Sequence, residues 1–332
     1  MGKFTFDELK EIINCVPTNP NVVIPPQPGF DAGVHILDSD TYLVIATDPC
    51  IGVPRSWFGW LMIHYSASDV ALFGATPQYC TINLLGPPST DKTRFIEIME
   101  QACQACKALG ITIITGHTGT YHGISEIVAT CTVYGTVPAN QLITPGGAQS
   151  NDNILLTKPI GFETLINYTL AHQAIARQLF GAERASWILE QVPQQSCVED
   201  AILLAADGVS AMHDATEGGL IAALHEMGDA ADRGFIVESV QLPFTPETQR
   251  LTQYFQLSPT QKLSLSSTGT LIAAIAPHLT TKAIHDLTLA GLQPHVVGQF
   301  TDDTDSRVLL TEKGEIPFPR YSEDPYALLF HS

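Results

Sequence analysis

Along residues 5–15 apolar and polar positions alternate at helical spacing, and the next fifteen residues, VPTNPNVVIPPQPGF, carry five prolines. Proline lacks the N–H donor that a helix needs and clashes with the preceding turn, so a short helix followed by an extended arm is expected. Residues 42–47 (YLVIAT) form a β-rich run that meets Asp48-Pro49, which reads as a strand stopping at a loop. A broad apolar face at helical spacing over 56–73 predicts a helix closed by Gly74, and 91–109 predicts a second one capped by Gly110. Strands are expected at 79–85, 111–115 and 126–137.

The run TPGGAQSNDN at 144–153 is rich in turn formers and lies between two apolar strands, so a linker and a domain boundary are expected there. Beyond it the pattern predicts a strand at 154–157, a helical region over 162–207, the peptide SAMHDATEGGL at 210–220, a helix at 220–231 and further alternation to about 297. Both halves mix α and β, with too many consecutive strands for an alternating barrel, so the expected class is α+β in two domains. The divisions read as 1–28 for the N-terminal helix and arm, 29–143 for the first domain, 144–153 for the linker and 154–332 for the second domain. No short-period repeat or heptad pattern is present.

Charge removes several function classes. The 332 residues include 16 Lys plus Arg against 34 Asp plus Glu, a net charge of −18. Such a chain lacks the basic face that a phosphate backbone requires, which argues against nucleic acid as a partner, and anionic membrane surfaces are disfavoured for the same reason. Only 15% of residues are charged, against the usual ~25%, which a sizeable oligomeric interface would account for. The start MGKFTFDELKEIINC shows no basic segment leading into an apolar one, and no apolar run reaches ~18 residues, so a cytoplasmic protein with no membrane segment is expected. Seven cysteines, odd in number and set in apolar context, suit free and mostly buried thiols.

The chain has neither a Gly-x-x-x-x-Gly-Lys nor a helix-opening Gly-x-Gly-x-x-Gly. Isolated aspartates stand out instead: Asp31 in PGFDAGVHIL, Asp48 in VIATDPCIG, Asp69 in SASDVALFGATP and Asp214 in MHDATEGGL. A carboxylate buried without a counter-charge costs several kcal/mol, and no Lys or Arg lies within four positions of any of them. Hard oxygen donors favour Mg²⁺; the alternative for each is a helix cap or turn residue, except at Asp69, which falls mid-helix where aspartate is a poor former. Residues 115–120 (TGHTGT) read as a small-residue loop after a strand, with backbone N–H groups able to face a phosphate. The DATEGG peptide precedes an apolar helix whose N-terminus can hold an anion, or else Thr216 serves only as its N-cap and Gly218 and Gly219 allow close packing. His213 beside Asp214 is either a general base or a loop residue. Cys103 and Cys106 are expected to be buried packing residues of a helix, with metal or redox chemistry the alternative.

Three peptides together carry a resemblance. SASDVALFGATPQY resembles an (N/S)D-x-A-x-x-GA-x-P motif, TGHTGTY a Gly-(His/Asp/Glu)-Thr segment and HDATEGGL a D-(A/P)-T-x-GG-(L/V) signature. In this order, over about residues 30–300, they are similar to the aminoimidazole ribonucleotide (AIR) synthetase, or PurM-like, superfamily. That superfamily includes the HypE-type hydrogenase-maturation carbamoyl dehydratases, selenophosphate synthetases and thiamine monophosphate kinases, and the HDATEGGL and GHT peptides lie nearest the first. The resemblance implies a PurM-like N-terminal domain that forms a dimer sheet and binds ATP, and a PurM-like C-terminal α/β domain covering a cleft. It implies ATP and Mg²⁺ as cofactors, with Asp31, Asp48 and Asp69 as metal and phosphate ligands joined by Asp214. Gly116, His117 and Thr118 would lie on the phosphate side, Thr216, Gly218 and Gly219 would bind from the second domain, and His213 and Asp214 would be catalytic. The implied reaction activates a small-molecule oxygen or acceptor by phosphoryl transfer.

Several positions depart from the branch patterns. The tail reads EDPYALLFHS with no cysteine after Cys197, where carbamoyl dehydratases end in one, and Cys15 lacks the glycine-rich, lysine-bearing surroundings of selenophosphate synthetases. Asp31 is followed by Ala32 where thiamine monophosphate kinases have a second aspartate, and preceded by Phe30 where the purine enzyme has a lysine. The other reading they leave open is a non-catalytic, dimeric, nucleotide-binding accessory protein.

Overall fold

A computed structural model describes residue 4 and residues 6–330. The chain divides into two compact units, residues 12–142 and residues 143–330 with 6–11.

After helix α1 (Phe6–Ile13), the N-terminal unit runs β1 (Val22–Ile24), β2 (Ala32–Ile36), β3 (Thr41–Ile51), α2 (Phe58–Leu72), β4 (Thr76–Gly86), α3 (Lys92–Leu109), β5 (Thr112–Thr120) and β6 (Val128–Pro138). Its strands form one sheet in the order β1-β2-β3-β6-β4-β5, antiparallel except for the β4/β5 pair. Strict alternation along β6 buries Ala129, Cys131, Val133 and Val137 on one side, the period of a half-buried strand. Helix α2 lies against β3, β6 and α3. Thirteen of its fifteen residues are buried, so Ser66, Ser68 and Asp69 are carried inside with the apolar ones. The approach to α3 is possible because position 59 is glycine: a Cβ there would stand 2.0 Å from the Ile98 carbonyl oxygen. Leu61, Ile63 and Val70 are wholly enclosed, each contributing roughly 1.5–3 kcal/mol of burial.

Two expectations change here. Strand β3 does not stop at Asp48-Pro49 but runs on to Ile51 along β6. Its pairing with β2 ends at Ala46 opposite Ala32, so Pro49 sits where β3 has lost one neighbour, and a missing N–H is tolerated there. Residues 115–120 are not a loop: β5 continues through them, pairing Ile82 with Gly116, Asn83 with His117 and Leu84 with Thr118. The small residues that looked like a loop are what a crowded parallel pairing needs, since a Cβ at Gly116 would lie 2.4 Å from the Ile82 carbonyl oxygen.

The C-terminal unit comprises β7 (Asn153–Leu156), α4 (Phe162–Ala171), α5 (Gln173–Phe180), α6 (Ala182–Leu189), α7 (Val198–Asp207), β8 (Ala211–Ala215), α8 (Gly219–Ala231), β9 (Gly234–Glu238), α9 (Pro246–Tyr254), α10 (Pro259–Leu263), β10 (Ser267–Ile275), α11 (Pro277–Leu289), β11 (His295–Thr301), β12 (Arg307–Thr311), β13 (Gly314–Pro317) and α12 (Tyr326–Phe330). The sheet order is β13-β12-β9-β11-β7-β10-β8, antiparallel except for β9/β12. Leu271 to Ile275 of β10 are fully buried, which explains their unbroken apolar run. Leu220, Leu224 and Met227 of α8 pack into the same core as Ile154, Ile272 and Phe300. The expected helical region over 162–207 resolves into four α-helices.

Residues 144–153 are packed rather than strung between bodies. Pro145 and Ala148 are buried, and the Asp152 carboxylate accepts the Gln149 N–H at 2.9 Å and the Ser210 hydroxyl. Turn formers here build an Asp-anchored turn leading into β7. Helix α3 buries Cys106 but leaves Cys103 exposed, so the expectation of two buried packing residues holds for Cys106 and not for Cys103; all seven thiols are free.

Candidate functional site

In the N-terminal unit the three candidate carboxylates come from three elements. Asp48 lies within β3, and its backbone N–H donates to the Ser66 hydroxyl at 3.2 Å, while Ser66 donates to the Cys131 carbonyl at 2.9 Å. One hydroxyl of α2 thus ties the middle of β3 to β6. Asp69 stands three residues after Ser66, one turn along the same face of α2, and is 7% exposed. Asp31 immediately precedes β2, whose first residue pairs with Ala46, two before Asp48. Helix α2 also holds His64, whose ring stacks on Trp60 at 3.7 Å between centroids; burial pushes its pKa down to about 3, so it adds no positive charge near neutral pH.

Gly116, His117 and Thr118 lie exposed on β5, the edge strand of the sheet. His117 shares a 2.7 Å hydrogen bond with the Tyr121 hydroxyl. Half of an edge strand's backbone groups point away from its partner, so donors remain there for a ligand although no loop is formed.

In the C-terminal unit His213 and Asp214 occupy β8, the sheet's edge strand, and are buried to 1% and 2% exposure. The Nδ1–H of His213 donates to the Asp214 carbonyl at 2.8 Å, and Nε2 lies 3.0 Å from a carboxylate oxygen of Glu226 on α8. Glu226 thus faces the ring nitrogen opposite the one held by the Asp214 carbonyl. His213 is enclosed between the Asp214 backbone and Glu226. The sequence reading missed Glu226, thirteen positions away on a helix where a carboxylate looks like ordinary surface.

The DATEGG peptide forms the turn into α8. Gly218 and Gly219 have φ of +85° and +58°, and a Cβ at Gly219 would lie 2.5 Å from the Leu265 carbonyl oxygen. Gly218, not Thr216, is the N-cap; the Thr216 carbonyl accepts the Gly219 N–H at 2.9 Å. This turn leaves the start of a thirteen-residue helix, with its free N–H groups and positive dipole end, beside Asp214 in sequence.

The donor chemistry fits a hard cation. In the N-terminal unit Asp31, Asp48 and Asp69 offer carboxylate oxygens, the donors a hard cation takes, and in the C-terminal unit Asp214 offers another; the buried Cys131 is the cross-strand neighbour of Asp48, while Cys106 contacts Cys80 at 3.9 Å between sulfurs.

Comparisons with known proteins agree in both halves. The model of the AIR synthase related protein N-terminal domain matches residues 29–137, and that of the C-terminal domain matches 149–311. A carbamoyl dehydratase HypE of Cupriavidus necator is 27% identical over 283 residues, 82% of this chain and 74% of that one. A thiamine-monophosphate kinase of Halobacterium salinarum is 30% identical over 258 residues, 75% of this chain and 80% of the kinase. The crystal structure of a hydrogenase maturation protein HypE in complex with ATP superposes with a TM-score of 0.68 at 17% identity, covering 88% of this chain and 89% of that one. Two sheets with helices in two units, the three peptides in order and matches along both halves lead to one conclusion: the chain belongs to the AIR synthase related family, the PurM-like superfamily, on its HypE-like side.

Proposed function

We propose that the protein is an ATP- and Mg²⁺-dependent enzyme that works as a cytoplasmic homodimer and activates a small-molecule oxygen or acceptor by phosphoryl transfer. The observation that carries this reading is Asp69, a carboxylate brought into the interior by a helix that buries nearly all its residues. A carboxylate carried inside on this helix is a hard oxygen donor of the kind Mg²⁺ takes. Asp31, Asp48, Asp69 and Asp214 would hold Mg²⁺, which neutralises phosphate charge when bound. Gly116, His117 and Thr118 would face the phosphates from the β5 edge, and Thr216, Gly218 and Gly219 from the start of α8. His213 and Asp214 would be the catalytic residues, with Glu226 beside the His213 ring. The HypE relative solved with ATP supports the choice of nucleotide.

Titration calorimetry with ATP, with and without Mg²⁺, followed by chromatography for ADP or AMP, tests this reading. Metal-dependent binding with slow turnover is expected; no binding at millimolar ATP would overturn it.

A further inference from the structure

Residues 321–330 fold back on the C-terminal unit through two kinds of anchor. Ser264 donates its hydroxyl to Ser322 Oγ at 3.1 Å and lies 3.3 Å from the Glu323 carbonyl. The Asp324 carboxylate accepts the Tyr326 N–H at 2.9 Å with one oxygen and the Gly218 N–H at 3.4 Å with the other. Further along, Phe330 stacks on Tyr326 at 4.1 Å and lies about 6 Å from the rings of Tyr168 and His172, while Asn167 reaches the Tyr326 hydroxyl at 3.5 Å. Leu329 is 1% exposed.

Asp324 therefore seats an anion of this chain at the start of α8, where the helix dipole favours negative charge. The seat is poor for a carboxylate. Glu163 of α4 and Glu217 of the glycine turn face Asp324 with like charge, and Glu163 is itself fixed by Ser266 Oγ at 2.7 Å and the Thr268 N–H at 2.8 Å. A phosphate that arrives with Mg²⁺ brings its own counter-charge to these acids; Asp324 does not.

We propose that residues 321–330 form an autoinhibitory arm: the Asp324 carboxylate occupies the anion position at the start of α8, and a nucleoside triphosphate with its metal must displace the arm to bind there. The proposal rests on the nucleotide reading above and adds a self-competing contact to it. The aromatic anchors on α4 set how firmly the arm is held, and the acidic pair beside Asp324 keeps that hold weak enough to break.

The test uses the full chain with Mg²⁺-ATP as probe. Hydrogen–deuterium exchange of the 321–330 amides is followed without and with nucleotide, and affinity is measured for the wild type, Asp324→Ala and Phe330→Ala. Phe330→Ala loosens the arm without touching α8, so it guards against an effect of Asp324→Ala on folding. Exchange in the arm should rise on adding Mg²⁺-ATP, and both variants should bind about three- to tenfold more tightly, since an arm docked most of the time reduces apparent affinity by the open fraction. Normal Mg²⁺-ATP binding with unchanged arm exchange and wild-type affinity in both variants would overturn the arm and leave the nucleotide reading standing. Binding in none of the three proteins would overturn both.

Discussion

His64 shows what burial does to a titratable residue inside α2. With its pKa held near 3, below the ordinary 6.5, the folded protein refuses a proton that the unfolded chain accepts. The unfolded state thus binds more protons between those values, and stability falls as pH drops from 6.5 towards 3, by up to about 1.4 kcal/mol per pH unit for this one group. Thermal unfolding across pH 7 to 4 should show a shallower acid slope in His64→Phe than in the wild type; equal slopes would show that His64 is not enclosed. At this scale the aspartates were legible because a lone carboxylate in an apolar run is conspicuous. Glu226 was not, because its role depends on a fold that brings α8 against β8.

Among the elements, the arm contact at α8 has a pH signature. Burial pushes the docked Asp324 carboxyl up to about 6 from an ordinary 3.8, with Glu163 and Glu217 adding to the rise and the N–H donors of Tyr326 and Gly218 opposing it. A raised pKa means that the docked arm holds the proton more tightly than the free arm. Docking is therefore strongest at low pH and weakens as pH rises through about 6. The gap in Mg²⁺-ATP affinity between Asp324→Ala and the wild type should be widest near pH 5 and narrow by pH 7.5, and calorimetry at both values measures it; a gap that widens with pH would contradict the assignment. Helices α2, α3 and α8 were legible from periodicity and terminal glycines. The ends of β3 and the nature of 115–120 were not, since whether proline or glycine breaks a strand depends on which neighbour the strand still has, as Pro49 and Gly116 show.

For the whole molecule, the low charge content and the bare β5 edge of the N-terminal sheet bear on assembly. Ile114 and Tyr79, on β5 and β4, are 60% and 48% exposed, large apolar groups of the kind a second copy covers. Light scattering should give twice the chain mass for the wild type and a shift towards the single-chain mass for Ile114→Asp; a wild-type protein at the single-chain mass would contradict the homodimer. The two-domain plan was legible because three short peptides in a fixed order mark the superfamily, and each half carries its own sheet. The packed turn at 144–153 was not, because Gly, Ser, Asn and Asp serve equally in a loose linker and in an anchored turn.

The most direct test of the account is Asp69→Asn, a nearly isosteric change that removes a charge and leaves the shape of α2. Calorimetric titration with ATP and Mg²⁺, beside thermal unfolding, should show a cooperative unfolding transition together with loss of the metal-dependent part of binding. Wild-type affinity and metal dependence in a folded Asp69→Asn protein would contradict the claim that this buried carboxylate holds the metal nucleotide.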